Sequence, residues 1–202
     1  MIIGQPGSGK STLARELGAR TGLPVFHIDR EVYWMSGWQE RDMDEKLARV
    51  AAIHAQDEWV FEGNFSRTFA DRTARADTFI FLDLPLWLRA WRVAKRTIGS
   101  YGRARPDMAE GCPEQVSLEF YAWIWRTRQT GRLKGLQILA DPPPHLTVHH
   151  LTSPRAAETD PTCHCGKPGC DQTRRRNIAC RGNALPPKPK RRAKGQCGQK
   201  PG

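Results

Sequence analysis

A glycine-rich segment close to the first residue constrains this chain more than any other feature. Residues 4–11 read GQPGSGKS, which fits the spacing G-x-x-x-x-G-K-[ST]. Small side chains let successive backbone N–H groups wrap around an anion, and the helix that follows directs its positive end at the same point. An apolar strand precedes the segment, and a helix with Leu13 and Leu17 on one face follows it. The segment is therefore predicted to bind the phosphates of a nucleotide.

The residues of this phosphate-binding loop have distinct expected tasks. Lys10 is expected to place a positive charge against the β- and γ-phosphates, and the Ser11 hydroxyl to ligate Mg²⁺. The predicted cofactors are therefore ATP and Mg²⁺. The predicted nucleotide-binding residues are Gly4, Gly7, Ser8, Gly9, Lys10, Ser11 and Thr12.

Apolar runs bounded by turn residues predict the strands of a sheet. They lie at residues 1–3, 24–29, 59–62, 78–83 and 146–151. Helical patterns occupy the intervals, including a long helix predicted over residues 115–132. Strands that alternate with helices, and that are apolar almost throughout, favour an α/β fold with a parallel sheet covered on both faces.

Two acidic residues end neighbouring predicted strands. Asp29 follows the second strand and Glu62 ends the third. The carboxyl ends of parallel strands line the ligand crevice of an open α/β sheet, so both side chains are catalytic candidates. Glu62 could hold Mg²⁺ through a water molecule, and either residue could orient the attacking group. The alternative for each is a helix-cap or turn carboxylate, and Asp83 fits that alternative as well as ligand contact.

Arginines recur on one face of a helix predicted over residues 86–98, at spacings of three and four. They are Arg89, Arg92 and Arg96. Guanidinium groups suit the charge that develops on a transferring phosphoryl group, which makes Arg92 and Arg96 catalytic candidates; the alternative is a solvated helix face. Trp87 and Trp91 are expected to face inward from the same helix.

The segment after this helix is rich in Gly, Pro and charge, and is predicted to be a lid over residues 99–114. Arg103 and Arg105 could close over the phosphates from it. Trp34 and Trp38 flank Gly37 in an earlier polar loop.

Charge is distributed unevenly along the chain. Residues 1–154 carry 20 basic and 18 acidic side chains, whereas residues 155–202 carry 12 basic and 3 acidic ones, with five of the six cysteines. The second segment has no aromatic residue, so we expect a disordered basic tail after a domain that ends at residue 154. Zinc binding by its cysteines is a weaker alternative, because their spacing differs from common zinc sites. No apolar run is long enough to cross a bilayer, which favours a cytoplasmic protein.

Several segments resemble a known superfamily. The glycine loop, the sequence WVFEGN at residues 59–64 and the sequence ADTFIFLDLP at residues 76–85 are similar to adenylate-kinase-like proteins. Residues 37–42 and 105–114 more closely resemble the bacterial P-loop proteins labelled "DNA topology modulation protein". The resemblance covers about residues 1–154. It implies a three-layer P-loop NTPase with a five-stranded parallel sheet, binding of ATP·Mg²⁺, and a lid whose arginines meet the phosphates.

The residues and the resemblance together indicate ATP- and Mg²⁺-dependent phosphoryl transfer to a small-molecule acceptor. In this interpretation Lys10, Asp29, Glu62, Arg92 and Arg96 are the catalytic residues. The acceptor stays open among nucleosides, nucleotides and small metabolites. The segment that binds AMP in adenylate kinases is not recognisable here, which argues against AMP. The competing interpretation is a nucleotide-regulated protein whose basic tail contacts DNA or RNA.

Overall fold

Strands and helices alternate along residues 1–159, the part of the chain that this computed structural model describes. The strands are β1 (Ile2–Gly4), β2 (Val25–His27), β3 (Trp34–Met35), β4 (Gln39–Glu40), β5 (Val60–Glu62), β6 (Thr78–Leu82) and β7 (Thr147–Leu151). The α-helices are α1 (Lys10–Thr21), α2 (Met43–His54), α3 (Phe69–Arg75), α4 (Leu86–Gly99), α5 (Leu118–Arg126), α6 (Thr130–Ala140) and α7 (Pro154–Thr159). A single π-helical turn, Asp29–Tyr33, follows β2.

Five strands form one parallel sheet in the order β2-β5-β1-β6-β7. The central strand β1 is short, yet Ile2 is in register with both Glu62 of β5 and Ile80 of β6. The carboxyl ends of β1, β2 and β5 therefore lie side by side at one edge of the sheet. This architecture confirms the predicted α/β fold with a five-stranded parallel sheet.

Alternate residues of the central strands face opposite sides of the sheet, and both sides are covered. Leu13 and Leu17 of α1 pack on the face that contains Ile2 and Leu82. Val50 and Ile53 of α2, with Leu136 and Leu139 of α6, pack on the face formed by Ile3, Phe61 and Phe81. Burial on both faces explains why these strands are apolar at nearly every position.

The helix predicted over residues 115–132 is wrong in its extent, because two helices occupy this region. α5 begins after Ser117, whose Oγ accepts a hydrogen bond from the Phe120 amide at 3.2 Å. It ends at Arg126, where the Thr127 hydroxyl donates to the Trp123 carbonyl at 2.7 Å. Side-chain bonds of this kind compete with the continuing helical ladder, and α6 starts afresh at Thr130.

The segment between α4 and α5 packs on a small antiparallel ribbon made by β3 and β4, which was not predicted. Met108, Ala109 and Cys112 are buried against the ribbon tryptophans Trp34 and Trp38. The Cys112 thiol donates to the Met35 carbonyl and accepts from the Trp38 amide, each at 3.3 Å. The predicted lid segment is thereby attached to the turn region that follows β2.

Two further expectations concern the end of the chain. The described fold continues past residue 154 into α7, whose Ala156 and Ala157 pack on the cluster around Leu151. The expected disorder, the zinc alternative and the contacts with nucleic acid concern a tail whose residues from 160 onward lie outside the described residues. Across residues 1–159, no helix has the length and apolar character that a membrane span requires.

A buried histidine packs beneath the sheet. His54 is 7% exposed, and its ring lies 5.7 Å from the Trp59 ring and 5.8 Å from the Phe61 ring. Burial, helped by the positive charges of Arg72 and Arg75, lowers the pKa of His54 from 6.5 to about 4. The folded state therefore favours the neutral form of His54.

This histidine should make stability depend on pH. In the unfolded chain His54 becomes protonated as the pH falls below 6.5. In the folded state it stays neutral down to about pH 4, where its lowered pKa lies. The free energy of unfolding should therefore fall as the pH is lowered across this interval, with His54 contributing up to about 3 kcal/mol. Urea unfolding of the wild type and of His54→Leu at pH 7, 5.5 and 4.5 measures the effect. Equal pH dependence in the two proteins would contradict it.

Candidate active site

The phosphate-binding loop connects β1 to α1 through glycines in the left-handed region. Gly7 and Gly9 have φ values of 79° and 94°, which side-chain-bearing residues rarely adopt. The Ser8 amide donates to the Gln5 carbonyl at 3.0 Å and closes the turn. A Cβ atom on Gly7 would collide with the carbonyl oxygen of Arg89 in α4. The glycine spacing in the sequence thus follows from the tight turn and from the close approach of α4.

Arginines of α4 hold the outer side of this loop. Arg89 is 4% exposed, and it donates to the carbonyls of Leu84 at 3.0 Å and Pro6 at 3.5 Å. Arg92 donates to the Ser8 carbonyl at 3.3 Å. The loop therefore has guanidinium groups bound to its carbonyls at Pro6 and Ser8.

The expectation that Trp87 and Trp91 face inward is wrong. Their exposed fractions are 72% and 63%, and the inward positions are taken by Arg89 and Val93. The physical reason is that part of the surface facing α4 consists of backbone carbonyls. A buried carbonyl needs a hydrogen-bond donor, which the arginine side chains supply in several directions.

A buried hydrogen-bonded pair lies at the end of β5. Glu62 is 2% exposed, and its Oε1 lies 2.7 Å from Nδ1 of His27 on the neighbouring strand β2. Burial alone would raise the pKa of Glu62, but the charge of Lys10, the hydrogen bond with His27 and the nearby Ser11 hydroxyl together lower it. Glu62 is therefore a carboxylate at neutral pH, next to the phosphate-binding loop.

A buried arginine fixes the backbone on both sides of Glu62. Arg72 of α3 is 0% exposed, and it donates to the carbonyls of Phe61 at 3.0 Å and Gly63 at 2.8 Å. Burial lowers the pKa of Arg72 to about 9, and the charge of Glu62 opposes that shift. Arg72 thus fixes the backbone at the end of β5, while the Glu62 carboxylate interacts with Lys10 and Ser11 of the loop.

Asp29 begins the π-helical turn after β2. Burial raises the pKa of Asp29, the charges of Lys10 and Arg105 act in the opposite direction, and Glu62 and Asp107 add to the rise. These interactions show that Asp29 shares one electrostatic environment with the loop lysine and with two other carboxylates.

The donor set beside Ser11 fits a Mg²⁺ ion that is held mainly by phosphates. Oε2 of Glu62 is buried and has no hydrogen-bond partner among the described residues. The Ser11 hydroxyl lies close enough to lower the pKa values of both Glu62 and Asp107. Within residues 1–159 no cluster of three or more acidic, His or Cys side chains could hold a metal alone. Mg²⁺ commonly keeps several waters and takes only one or two protein ligands beside a nucleotide.

The segment between α4 and α5 brings further charged groups to this site. Glu114 is 7% exposed and binds two arginines, with Oε1 3.2 Å from Nη2 of Arg96 and Oε2 2.6 Å from Nε of Arg105. Arg105 also donates to Oδ2 of Asp107 at 2.8 Å. The Thr97 hydroxyl completes the network by donating to Oε1 of Glu114 at 3.1 Å.

Asp107 and Glu114 are site residues that the sequence analysis missed. Burial would raise the pKa of Asp107, but Arg105 and the Ser11 hydroxyl lower it, so the residue is charged and next to the loop. Both residues lie in the segment with the most specific family resemblance, and that resemblance was the one available signal. Of the two lid arginines, Arg105 reaches the site and Arg103 is exposed to solvent.

Asp83 has a different place from the other strand-end acids. Its carboxylate accepts from Nε of Arg132 at 2.7 Å and lies 3.1 Å from Nε2 of His150. These contacts, with burial opposing them, lower its pKa. Asp83 therefore links β6 to α6 and β7, and it lines neither of the cavities described next.

Two cavities meet at the phosphate-binding loop. The first, of about 720 Å³, is lined by the loop residues including Thr12, the start of α1, Arg92 and the helix α7 at Pro154 and Ala157. The second, of about 430 Å³, is lined by Asp29, Tyr33, Asn64 and residues of the ribbon and of α5. Five residues line both cavities: Lys10, Ser11, Arg96, Arg105 and Asp107.

A glycine loop between a buried strand and a helix, in a five-stranded parallel sheet, defines a P-loop nucleotide-binding protein. A family model described as an AAA domain matches residues 1–110, and the chain belongs to this family. A cytidylate kinase of Pyrobaculum aerophilum is 32% identical over 123 residues. The match covers 54% of this chain and 66% of that kinase, just under two thirds of its length. No solved structure matches the chain.

The position of Lys10 yields a first test of the site. Lys10→Met keeps the length of the side chain but removes the charge that the loop directs at phosphate. We expect ATP binding, measured by isothermal titration calorimetry, to weaken by at least about tenfold while the melting temperature changes little. The matched control is Lys95→Ala, on the exposed side of α4. Unchanged ATP affinity in the Lys10 variant would contradict the assignment of the loop.

Proposed function

We propose that this protein transfers the γ-phosphoryl group of ATP, in a Mg²⁺-dependent reaction, to a small-molecule acceptor. The observation that carries the proposal is the wall shared by the two cavities, where the loop lysine and serine meet two arginines and the acidic residue Asp107. A kinase needs two sites that meet at the transferred group, because both substrates must be held in line for the displacement. A protein that only binds ATP has no need for the second cavity.

In this proposal the first cavity holds ATP. The backbone amide groups between Gly7 and Ser11 and the start of α1 bind the triphosphate, and Lys10 contacts its β- and γ-phosphates. The γ-phosphate then points toward the shared wall, since the loop forms one side of it. Thr12 and Arg92 complete the walls of this cavity.

The metal has a defined place in the proposal. Ser11 would ligate Mg²⁺ directly, and Glu62 would hold it through a water that satisfies the unpartnered Oε2. When bound, the ion neutralises charge on the phosphate oxygens. His27 and Arg72 keep the Glu62 carboxylate charged and correctly placed for this task.

Arg96 and Arg105 serve the transferring group. Glu114 fixes both guanidinium groups at the shared wall, so their positions do not have to be organised during the reaction. The guanidinium groups of Arg96 and Arg105 would therefore already be positioned to stabilise the negative charge on the equatorial oxygens of the phosphoryl group. The partly buried site strengthens this interaction relative to water.

The cytidylate kinase relative supports a nucleotide or nucleoside as acceptor, while small metabolites remain within the proposal. The proposal also keeps the resemblance of residues 37–42 and 105–114 to proteins labelled "DNA topology modulation protein". That label does not name a substrate. The alternative of a nucleotide-regulated nucleic-acid binder depends on the charge of residues 155–202. Most of that segment lies outside the described residues, and no feature of residues 1–159 favours the alternative.

An ADP-release assay tests the proposal directly. Purified protein with ATP and Mg²⁺ is screened against nucleosides, nucleoside monophosphates and small hydroxyl-bearing metabolites, and phosphorylated products are identified by mass spectrometry. We expect at least one compound to raise ADP release and to appear as its phosphate ester. ATP binding without any acceptor-dependent turnover across the panel would contradict the proposed function.

Arg96 and Arg92 should behave differently on mutation. Of these two arginines, Arg96 lines both cavities and Arg92 lines the first alone, so Arg96→Ala should lower kcat by about 100-fold with little change in the affinity for ATP. Arg92 contacts the loop at the Ser8 carbonyl, so Arg92→Ala should act mainly on ATP binding. Steady-state kinetics and calorimetry separate the two effects, with Lys95→Ala as the control. Wild-type kcat in Arg96→Ala would show that this arginine has no part in transfer.

A further inference from the structure

The second cavity has walls rich in flat aromatic rings. Tyr33, Trp34 and Trp38 line it from the π-helical turn and the ribbon, and Phe120 and Trp123 line it from α5. The Trp34 and Trp38 rings are 5.4 Å apart in an edge-to-face pair, and the Phe120 and Trp123 rings are 5.9 Å apart and nearly parallel. Aromatic walls of this kind favour a planar ligand that can stack on them.

Trp38 has two features that a folded core residue would not need. Its φ is 62°, a left-handed conformation that is uncommon for a side chain of this size. Its indole Nε1 is buried and has no hydrogen-bond partner among the described residues. A ligand acceptor atom would satisfy this donor, and strained backbone is often found at ligand sites.

The charges that line this cavity are arranged unfavourably for an anionic ligand. Arg96 and Arg105 are both bound to Glu114, and Arg105 is also bound to Asp107. Both arginines lie at the shared wall, where the proposed function assigns them to the transferring phosphoryl group rather than to the acceptor. The remaining cation is Lys10, which belongs to the phosphate-binding loop. Away from the shared wall the charged lining residues are Asp29 and Glu114, both acidic, and the polar ones are uncharged: Asn64, Gln115 and Ser117. A second phosphate group placed there would meet a carboxylate and no free cation from the lining residues.

We propose that the acceptor is an uncharged planar ring compound with a free hydroxyl group, of which nucleosides are the model class, and that Asp29 binds this hydroxyl. The inference rests on the proposed function and narrows it. The cavity volume of about 430 Å³ lies within the range of about 300–1,000 Å³ that is usual for small-molecule sites. The ring stacks on the aromatic walls, and the hydroxyl lies between Asp29 and the γ-phosphate.

The transfer step balances with the groups present. The hydroxyl oxygen of the acceptor forms a bond to the γ-phosphorus of ATP, and the bond from that phosphorus to the bridging oxygen of ADP breaks. ADP leaves with the electron pair and the bridging oxygen. The hydroxyl proton passes to the Asp29 carboxylate and from there to water. Burial raises the pKa of Asp29, which suits a group that must accept a proton during the step.

Arg67 distinguishes this inference from a phosphorylated acceptor. It is exposed, it does not line the second cavity, and its charge is felt weakly at Tyr33. A nucleoside monophosphate could reach the second cavity with its phosphate directed toward Arg67. An uncharged acceptor has no use for this arginine, so Arg67→Ala should leave its kinetics unchanged.

The test compares cytidine, uridine, adenosine and guanosine with their 5′-monophosphates as acceptors for the full-length protein with ATP·Mg²⁺. We expect nucleosides to raise ADP release and to appear as monophosphates, with kcat/KM at least tenfold above that of the matching monophosphate. Exclusive use of monophosphates, with loss of activity in Arg67→Ala, would overturn the inference and leave the proposed function standing. ATP turnover that no nucleoside stimulates would also overturn it. Absence of ATP binding would overturn the proposed function itself.

Substitutions in the second cavity test the individual contacts that we assign to the nucleoside. Trp34→Ala and the milder Trp34→Phe should raise the KM of the nucleoside, by about tenfold or more for the alanine variant, without changing the affinity for ATP. Trp91→Ala, on the exposed face of α4, is the matched control and should behave as wild type. Asp29→Asn should lower kcat by at least about 100-fold while the nucleoside still binds. A wild-type KM in both Trp34 variants, or a wild-type kcat in Asp29→Asn, would contradict the assigned contacts.

Discussion

The carboxylate of Glu62 lies almost out of contact with water where the central strands of the sheet end, and the surrounding elements are arranged around its charge. Removing a carboxylate from water costs several kcal/mol unless charged or hydrogen-bonding partners offset the loss. His27 from β2, Lys10 from the phosphate-binding loop and the Ser11 hydroxyl supply those partners. Arg72 fixes the adjacent backbone from the other side. The same contacts that stabilise this charge also bring the loop, β2 and β5 together at one edge.

The helix α4 has a second organising role, because its arginines connect the two cavities. Arg89 is bound to the carbonyls of Leu84 and of Pro6 in the loop, and Arg92 to the loop carbonyl of Ser8, while Arg96 reaches across to Glu114. Charged groups on this face replace the apolar contacts that a helix usually makes with a sheet. The arrangement costs desolvation of Arg89 and Arg96, and burial lowers the pKa of both guanidinium groups. The proposed phosphoryl transfer would give a physical reason for that cost.

The phosphate-binding loop and the acids at the strand ends could be predicted from local sequence patterns. The spacing of the glycines predicted the phosphate-binding loop. The positions of Asp29 and Glu62 after apolar strands predicted that both lie at one edge of the sheet, because the carboxyl ends of parallel strands lie together. The orientation of Trp87 and Trp91 could not be derived in the same way, because helix periodicity assigns aromatic residues to the core and does not reveal that α4 faces backbone carbonyls. Asp107 and Glu114 pair with arginines, and only tertiary packing of their segment shows which ones reach the site. The ribbon strands are two residues long and give no periodic signal.

A crystal structure with Mg²⁺ and a non-hydrolysable ATP analogue would show where the donor and acceptor sites lie. We expect the triphosphate in the first cavity, with the γ-phosphate within hydrogen-bonding distance of Lys10 and Arg96 and exposed to the second cavity on the side of Asp29. We also expect the metal to be bound by the Ser11 hydroxyl and by a water held on Glu62. A γ-phosphate that points to bulk solvent, or a nucleotide base stacked between Trp34 and Phe120, would contradict the assignment of donor and acceptor sites.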